Sequence, residues 1–379
     1  MKWAPDRAEE LKKTRIPSSE WSKKETMNSR ERIFAMLEGK PVDHLPAMPI
    51  TMMFAADQIG SSYLNYSTDY RVQAEGQMRV AERFGVDHVS VISDPCCEAA
   101  DLGSKIQFYP DQPPAIYEEN ALLKDKTELI RLKFPDPLGG GRMTNRVHAV
   151  ALLKERVGKE KAVEGWIEGP CAESADLRGI NRLMLDFFDD PEFVRDLMDF
   201  VVEMELCFAR VQIEAGVDIM GIGDAASSLV GLRFYNDFVL ASQKKMIEEI
   251  HAMGAKTRLH ICGRTRQIWE SLRNVGADIL DQDYLQPLDE ARSAIGPQQV
   301  LLGNMDPVRQ LRNGTPESVY AAVEESHLQA GDRYIVGAGC EAPRDTPGEN
   351  FHAMMQYAQE HGSTLSVSQD HIPPNDCRT

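Results

Sequence analysis

The sequence predicts a closed α/β barrel of the (β/α)8, or TIM, type, with an N-terminal helical extension and a long insertion after the second strand. Three observations carry that prediction. Short apolar runs bounded by Gly, Pro or Asp alternate with longer segments of helical period, the pattern of successive βα units and a parallel sheet. Eight such runs occur, the number that closes a barrel. No Gly-x-Gly-x-x-Gly turn follows the first of them, which argues against an open, doubly wound sheet with a dinucleotide site.

The expected strands span 45–51, 88–93, 162–168, 219–223, 257–261, 279–281, 300–304 and 334–337. Helical period marks 70–84, 145–157, 191–215, 235–253, 265–275, 288–295, 316–330 and 347–360. The helix over 191–215 shows the logic. Asp190 can cap it, Pro191 suits its first turn and Gly216 stops it, while Val194, Leu197, Val201, Met204, Phe208 and Val211 share one face. Three units repeat one phrase, a helix ending in Gly and turning into a buried strand: Phe84-Gly85-Val86-Asp87, Ala215-Gly216-Val217-Asp218 and Val275-Gly276-Ala277-Asp278. The extension covers 1–26, the barrel 27–362 and a flexible tail 363–379. Residues 94–141, rich in Pro and ending in three glycines, form the insertion, either a candidate lid over the catalytic face or a decorative flap.

At 379 residues, 42% hydrophobic and 27% charged, the chain can bury one large core. A formal charge of −17 repels phosphate backbones and anionic lipid, so no nucleic-acid or membrane partner is expected. No apolar run reaches the 18 residues of a membrane span, and residues 1–13 lack the apolar centre of a signal peptide, which points to the cytoplasm. An apolar stretch at Met52-Met53-Phe54, read as exposed, is compatible with a homodimer.

Seven unevenly spaced cysteines do not form a disulfide framework in a chain this long. Cys207 reads as helix core, Cys377 as part of the tail, and Cys96, Cys97 and Cys171 as small buried residues after strands. His88, His148, His251 and His327 fall in strand or helix patterns away from the barrel mouth.

In such a barrel, chemistry sits where strands end and βα loops begin. The strand ends here read Glu168-Gly169-Pro170, Asp224-Ala225-Ala226, His260-Ile261-Cys262-Gly263, Asp281-Gln282-Asp283, Asn304-Met305-Asp306 and Gly339-Cys340-Glu341, a ring of ligand-type side chains at one end. His260 and Cys262, two apart on an extended segment, point to one side. Cys340, 78 positions further on, must be brought in by its loop. Two thiolates and one imidazole make a Cys2His set with a fourth position for water or substrate, as in a catalytic zinc site; a buried histidine with two packed thiols is the bland alternative.

These motifs resemble the uroporphyrinogen decarboxylase superfamily, and within it the zinc-dependent corrinoid methyltransferases typified by the methylcobalamin:coenzyme M methyltransferases of methanogens. The likeness runs from about Asn28 to Gly362, through Arg30-Glu31-Arg32-Ile33, Val42-Asp43-His44-Leu45-Pro46, Glu168-Gly169-Pro170, Leu259-His260-Ile261-Cys262-Gly263 and Gly339-Cys340-Glu341-Ala342-Pro343. It implies zinc (Zn2+) on His260, Cys262 and Cys340, and methyl transfer between a corrinoid and a small thiol acceptor or methylated donor. Glu168 and Asp224 are the candidates for a fourth ligand or for substrate positioning, with a loop-capping role as the alternative for each. Glu341 is placed to tune the site.

The sequence has no Asp-x-His-x-x-Gly cobalamin signature, so the corrinoid would come from a partner protein or as free methylcobalamin. The alternatives are a tetrapyrrole decarboxylase and a non-catalytic metal- or corrinoid-binding barrel. Decarboxylases of the family hold substrate carboxylates with an arginine-rich segment after the first strand, where this chain has Thr51-Met52-Met53-Phe54-Ala55-Ala56-Asp57 and no arginine. The loop Gly303-Asn304-Met305-Asp306-Pro307, in contrast, is nearer the decarboxylase form.

Overall fold

A computed structural model of the chain describes residues 26–362; the extension before residue 26 and the tail over 363–379 lie outside the described residues. Nine strands are present there: β1 (His88–Ser90), β2 (Ile106–Gln107), β3 (Ala115–Ile116), β4 (Ala162–Glu168), β5 (Ile219–Gly223), β6 (Lys256–His260), β7 (Ile279–Gln282), β8 (Val300–Gly303) and β9 (Tyr334–Ile335). Seven of them form one parallel sheet in the order β1-β4-β5-β6-β7-β8-β9, each pairing with the next in sequence.

The first expected strand, over 45–51, closes this sheet into a ring without being a full strand. Ala47 bridges Val336 in parallel, with Val336 N–H donating to the Pro46 carbonyl (2.8 Å) and Met48 N–H to the Val336 carbonyl (3.0 Å). On its other edge Asp87 N–H donates to the Ala47 carbonyl (3.0 Å), and Ala47 N–H donates to the Asp87 side chain (2.8 Å). Pro46 and Pro49 lack the N–H groups a regular ladder needs, which is why the pairing stays intermittent.

Inside the ring the strands alternate as a half-polar barrel requires. Glu164, Trp166 and Glu168 of β4 share one face, and Arg258 and His260 of β6 meet them: Arg258 binds Glu164, and the His260 ring lies 6.3 Å from that of Trp166. Trp166 fits because β5 offers glycine opposite it; a Cβ on Gly221 would stand 2.2 Å from its ring.

The helices Tyr70–Phe84, Pro191–Ala215, Leu288–Ile295 and Pro316–Ala330 occupy the expected spans. Asp190 does cap Pro191–Ala215, accepting from Phe193 N–H (3.3 Å), and the stripe from Val194 to Phe208 is buried. The segment expected as a helix over 265–275 is instead a turn at Arg266–Ile268 and one helical turn at Trp269–Leu272. The insertion over 94–141 contains a short helix (Cys97–Asp101), the β2–β3 hairpin and two helical turns, and after β4 come two helices, Pro170–Arg178 and Ile180–Asp189.

Two expectations are corrected. Cys207 is exposed: it falls on the outer side of the 191–215 helix, between the buried Leu206 and Phe208. Met52 and Met53 are half-buried and Phe54 is buried, stacked on Phe351 at 4.6 Å, so the stretch read as a dimer surface is part of the core. The large exposed apolar side chains lie elsewhere, at Ile130, Phe188, Leu229 and Leu185. No helix among the described residues is long and apolar enough to cross a membrane.

Buried His327, hydrogen-bonded to the Tyr357 hydroxyl (2.9 Å), gives the fold a predictable acid sensitivity. Burial, followed by the nearby His361 charge, lowers it from 6.5 to about 4. The unfolded chain therefore binds this proton more readily, and its contribution is complete above about pH 6.5 and lost as pH falls through about 4. Urea unfolding at pH 7 and pH 4.5 should show a loss of about 2–3 kcal/mol from this group, and His327→Gln should flatten that part of the slope.

Candidate metal centre

The mouth of the barrel is built by loops that start where β6 and β9 end. Beyond His260 the chain continues through Ile261 and Cys262 to Gly263, whose φ of +93° lets it turn so that its N–H donates to the Asp283 carboxylate (2.8 Å). Beyond β9, Ala338 bridges Met305 and Gly339 N–H donates to the Met305 carbonyl (2.9 Å). Gly339 passes so close to Tyr284 that a Cβ would lie 2.4 Å from its backbone nitrogen. That passage delivers Cys340 to the mouth.

The three expected ligands converge. His260 Nε2 is 2.8 Å from Cys262 Sγ and 4.0 Å from Cys340 Sγ, and the two sulfurs are 3.6 Å apart. Two Zn–S bonds of about 2.3 Å at a tetrahedral angle place their sulfurs about 3.8 Å apart, so the spacing suits one ion shared by both thiolates. The donor set, two soft sulfurs and one imidazole, also suits zinc rather than a hard oxygen-seeking cation. Among the described residues no other group of three His, Cys, Asp or Glu side chains converges in this way.

A line of buried charge holds His260 from behind. Its Nδ1 lies 2.7 Å from Asp281 Oδ2, and Asp281 is gripped by Arg258 through Nε (2.9 Å to Oδ1) and a terminal nitrogen (2.8 Å to Oδ2). Arg258 reaches on to Glu164 Oε1 (3.1 Å), whose other oxygen is 3.5 Å from His88. Burial alone would raise Asp281, but the Arg258 charge and the His260 bond outweigh it and hold the carboxyl below its ordinary range. Burial alone would likewise lower His260, yet the Cys262 charge and the Asp281 bond raise it. The thiols divide unequally: hydrogen bonds from Cys262 and then His260 draw Cys340 down to about 4, while the bond to Cys340, and then burial, push Cys262 up.

The two carboxylates singled out in the sequence take different places. Glu168 accepts from Trp166 Nε1 (3.1 Å) and lines, together with Cys262, a cavity of about 460 Å3 that the insertion walls with Pro95, Ile116 and Glu118. Burial, then the charges of Glu98 and Asp176, push Glu168 well above the carboxylate range. Asp224 is fully buried and its oxygens are taken by Ala172 N–H (2.7 Å), the Ser227 hydroxyl (2.8 Å) and Gln243 Nε2 (2.6 Å). Burial raises it to about 6 against those bonds. Glu341 accepts from Met53 N–H (2.7 Å), tying the loop of Cys340 to the first βα loop.

Arg258 and Glu164 have no role in the sequence reading, and Asp281 enters it only as one of the ligand-type strand ends, although Arg258-Leu259-His260 carries a signal: alternate positions of a buried strand place a charge and a candidate ligand on one face. Asp176, which lines the cavity, gave none, since it sits in a helix not foreseen.

The chain belongs to the uroporphyrinogen decarboxylase family, whose model (Uroporphyrinogen decarboxylase, URO-D) matches residues 28–361. It is 29% identical to the methylcobamide:CoM methyltransferase MtbA of Methanosarcina mazei, over 88% of this chain and 98% of that protein. It is 26% identical to a methylated-thiol–coenzyme M methyltransferase of the same organism, over 88% of this chain and 90% of that protein. Uroporphyrinogen decarboxylase of Streptomyces coelicolor is 27% identical over a shorter stretch, 62% of this chain and 65% of that protein. A solved methyltransferase from Methanosarcina mazei shares the fold with a TM-score of 0.80 at 22% identity, covering 88% of this chain and 99% of that one.

Proposed function

We propose that this chain is a zinc-dependent methyltransferase that moves a methyl group between a corrinoid, brought by another protein or free in solution, and a small molecule held beside Cys262. The observation that carries the reading is the convergence of His260 Nε2, Cys262 Sγ and Cys340 Sγ at the mouth, with Asp281 behind the imidazole and a cavity in front of Cys262. The two methyltransferases named above are matched over 90% or more of their own length, which supports the same reading.

Zinc on these three side chains supplies a Lewis acid that favours the thiolate of a bound thiol or polarises the bond to a substrate's methyl group. The protein's own part is positional. With Asp281 accepting from Nδ1, the lone pair of His260 is left on Nε2, and Arg258 keeps Asp281 ionised. Glu168 faces the substrate space, where it can complete the ligand set or orient the bound molecule. Asp224 pins the start of the Pro170–Arg178 helix to the turn after β5, shaping the cavity wall. In the thiol-methylating direction the sulfur provides the electron pair of the new S–C bond, the pair of the methyl–corrinoid bond stays with the corrinoid, and the thiol proton passes to water.

The test is direct. Purified protein should hold about one zinc per chain, and with methylcobalamin and a panel of thiols it should bleach the methylcobalamin spectrum while forming a methyl thioether. Metal-free protein that instead releases carbon dioxide from a tetrapyrrole would overturn the assignment.

A further inference from the structure

The cavity beside Cys262 carries charge of one kind only. Its lining includes three acidic side chains, Glu118, Glu168 and Asp176, and no lysine, arginine or histidine; the rest is mainly alanine, glycine and larger apolar residues. Behind Glu168 stand further buried acids, and the carboxyls of Glu173 and Glu205 have no hydrogen-bond partner and no exposure.

The neighbouring cations are already engaged. Arg142 grips Asp94 (2.6 and 2.7 Å), Arg146 binds Glu98 (2.9 Å), and Arg178 binds Asp186 (2.6 Å). Arg182 donates to the Glu118 carbonyl (3.0 Å) and lies 4.0 Å from its carboxylate. Arg264 is exposed and outside the lining, and Arg309 lines a separate cavity between the loops that follow β7 and β8.

We propose that the small molecule held in this cavity is neutral or cationic, such as an uncharged or amino thiol, thioether, ether or methylated amine, and that molecules with an anionic head group are excluded. Recognition of a sulfonate or carboxylate in a desolvated pocket needs a cation or a set of aimed donors; the lining supplies no cationic side chain, and a zinc ion shared by two thiolates would carry no net charge to offer. If the acids are ionised they repel an anion outright; if they are protonated they offer it hydroxyl donors but no opposite charge to offset its desolvation. An ammonium or an uncharged polar group meets neither obstacle. The inference rests on the methyl-transfer reading for what happens to the bound molecule, but the selection by charge is a property of the cavity itself.

Zinc-loaded protein titrated calorimetrically with 2-mercaptoethanol, cysteamine, 3-mercaptopropionate and 2-mercaptoethanesulfonate separates the two claims. These are short thiols that differ chiefly in head-group charge. The neutral and cationic thiols should bind about tenfold or more tightly than the two anions, and in parallel assays with methylcobalamin the difference should fall mainly on KM. Preferred binding of the anionic thiols, with methyl transfer intact, overturns the charge selection and leaves the methyltransferase reading standing. Preferred binding of the neutral and cationic thiols without any methyl transfer supports the charge selection and removes the reading in which the bound molecule is a thiol methylated by the corrinoid. Binding of none of the four overturns the proposal.

Discussion

Replacing Cys262 or Cys340 with serine is expected to empty the metal centre and abolish methyl transfer while leaving the barrel folded. Each sulfur stands within 4.0 Å of the other two donor atoms, so losing one takes a third of the protein's ligand set. Serine keeps the shape but replaces a soft thiolate with a hydroxyl that zinc binds poorly at neutral pH. The drop in zinc affinity should exceed the roughly 10–100-fold that follows loss of an outer hydrogen-bond partner, and activity should fall at least as far. Chelator competition measures the first and methylcobalamin bleaching the second. Circular dichroism should be unchanged, because both cysteines lie past strand ends rather than in the core. A Cys340→Ser protein with full zinc and full activity would defeat the assignment.

Arg258→Met should be the most damaging single change to stability. The guanidinium is completely buried and joins Asp281 to Glu164, both at most 7% exposed. Removing it strands two carboxyls in a dry interior, a loss on the order of 3–5 kcal/mol. Chemical denaturation at neutral pH reads that directly. Asp281→Asn separates stability from metal tuning: it preserves shape but can turn an amide N–H toward His260 Nδ1, favouring the tautomer that protonates Nε2. Zinc affinity should then fall about 10–100-fold, with a smaller effect on unfolding than Arg258→Met. Equal losses in both variants would mean that Asp281 acts only as structural packing.

Most of the barrel could be read in advance because its signals are local. Gly216 after the 191–215 helix, Asp190 before it and the apolar runs of the strands depend on near neighbours alone. The candidate ligands His260 and Cys262 could be singled out for a similar reason, since His260-Ile261-Cys262-Gly263 is a compact motif at a strand end. What escaped were features fixed by distant partners. The pairing of Arg258 with Asp281 and Glu164 spans three strands, and the burial of Met53 beside Glu341 joins positions 288 residues apart. Asp224 is a candidate ligand or substrate-positioning group, with loop capping as the alternative, because it ends a strand at the catalytic face. Its oxygens are instead shared among Ala172, Ser227 and Gln243, contacts that no spacing in the sequence announces.

The intermittent pairing around Ala47 gives the ring a seam, sealed partly by the Asp87 carboxylate where proline withholds donors. Cys340 rides on the chain leaving β9, which borders that seam, whereas His260 ends β6, three strands along, and Cys262 follows it by two residues. An ion held by both thiolates would tie the chain that leaves β9, at the edge of that seam, to the chain that leaves β6, so metal binding would add a cross-link over the mouth beside the place where backbone pairing is sparsest.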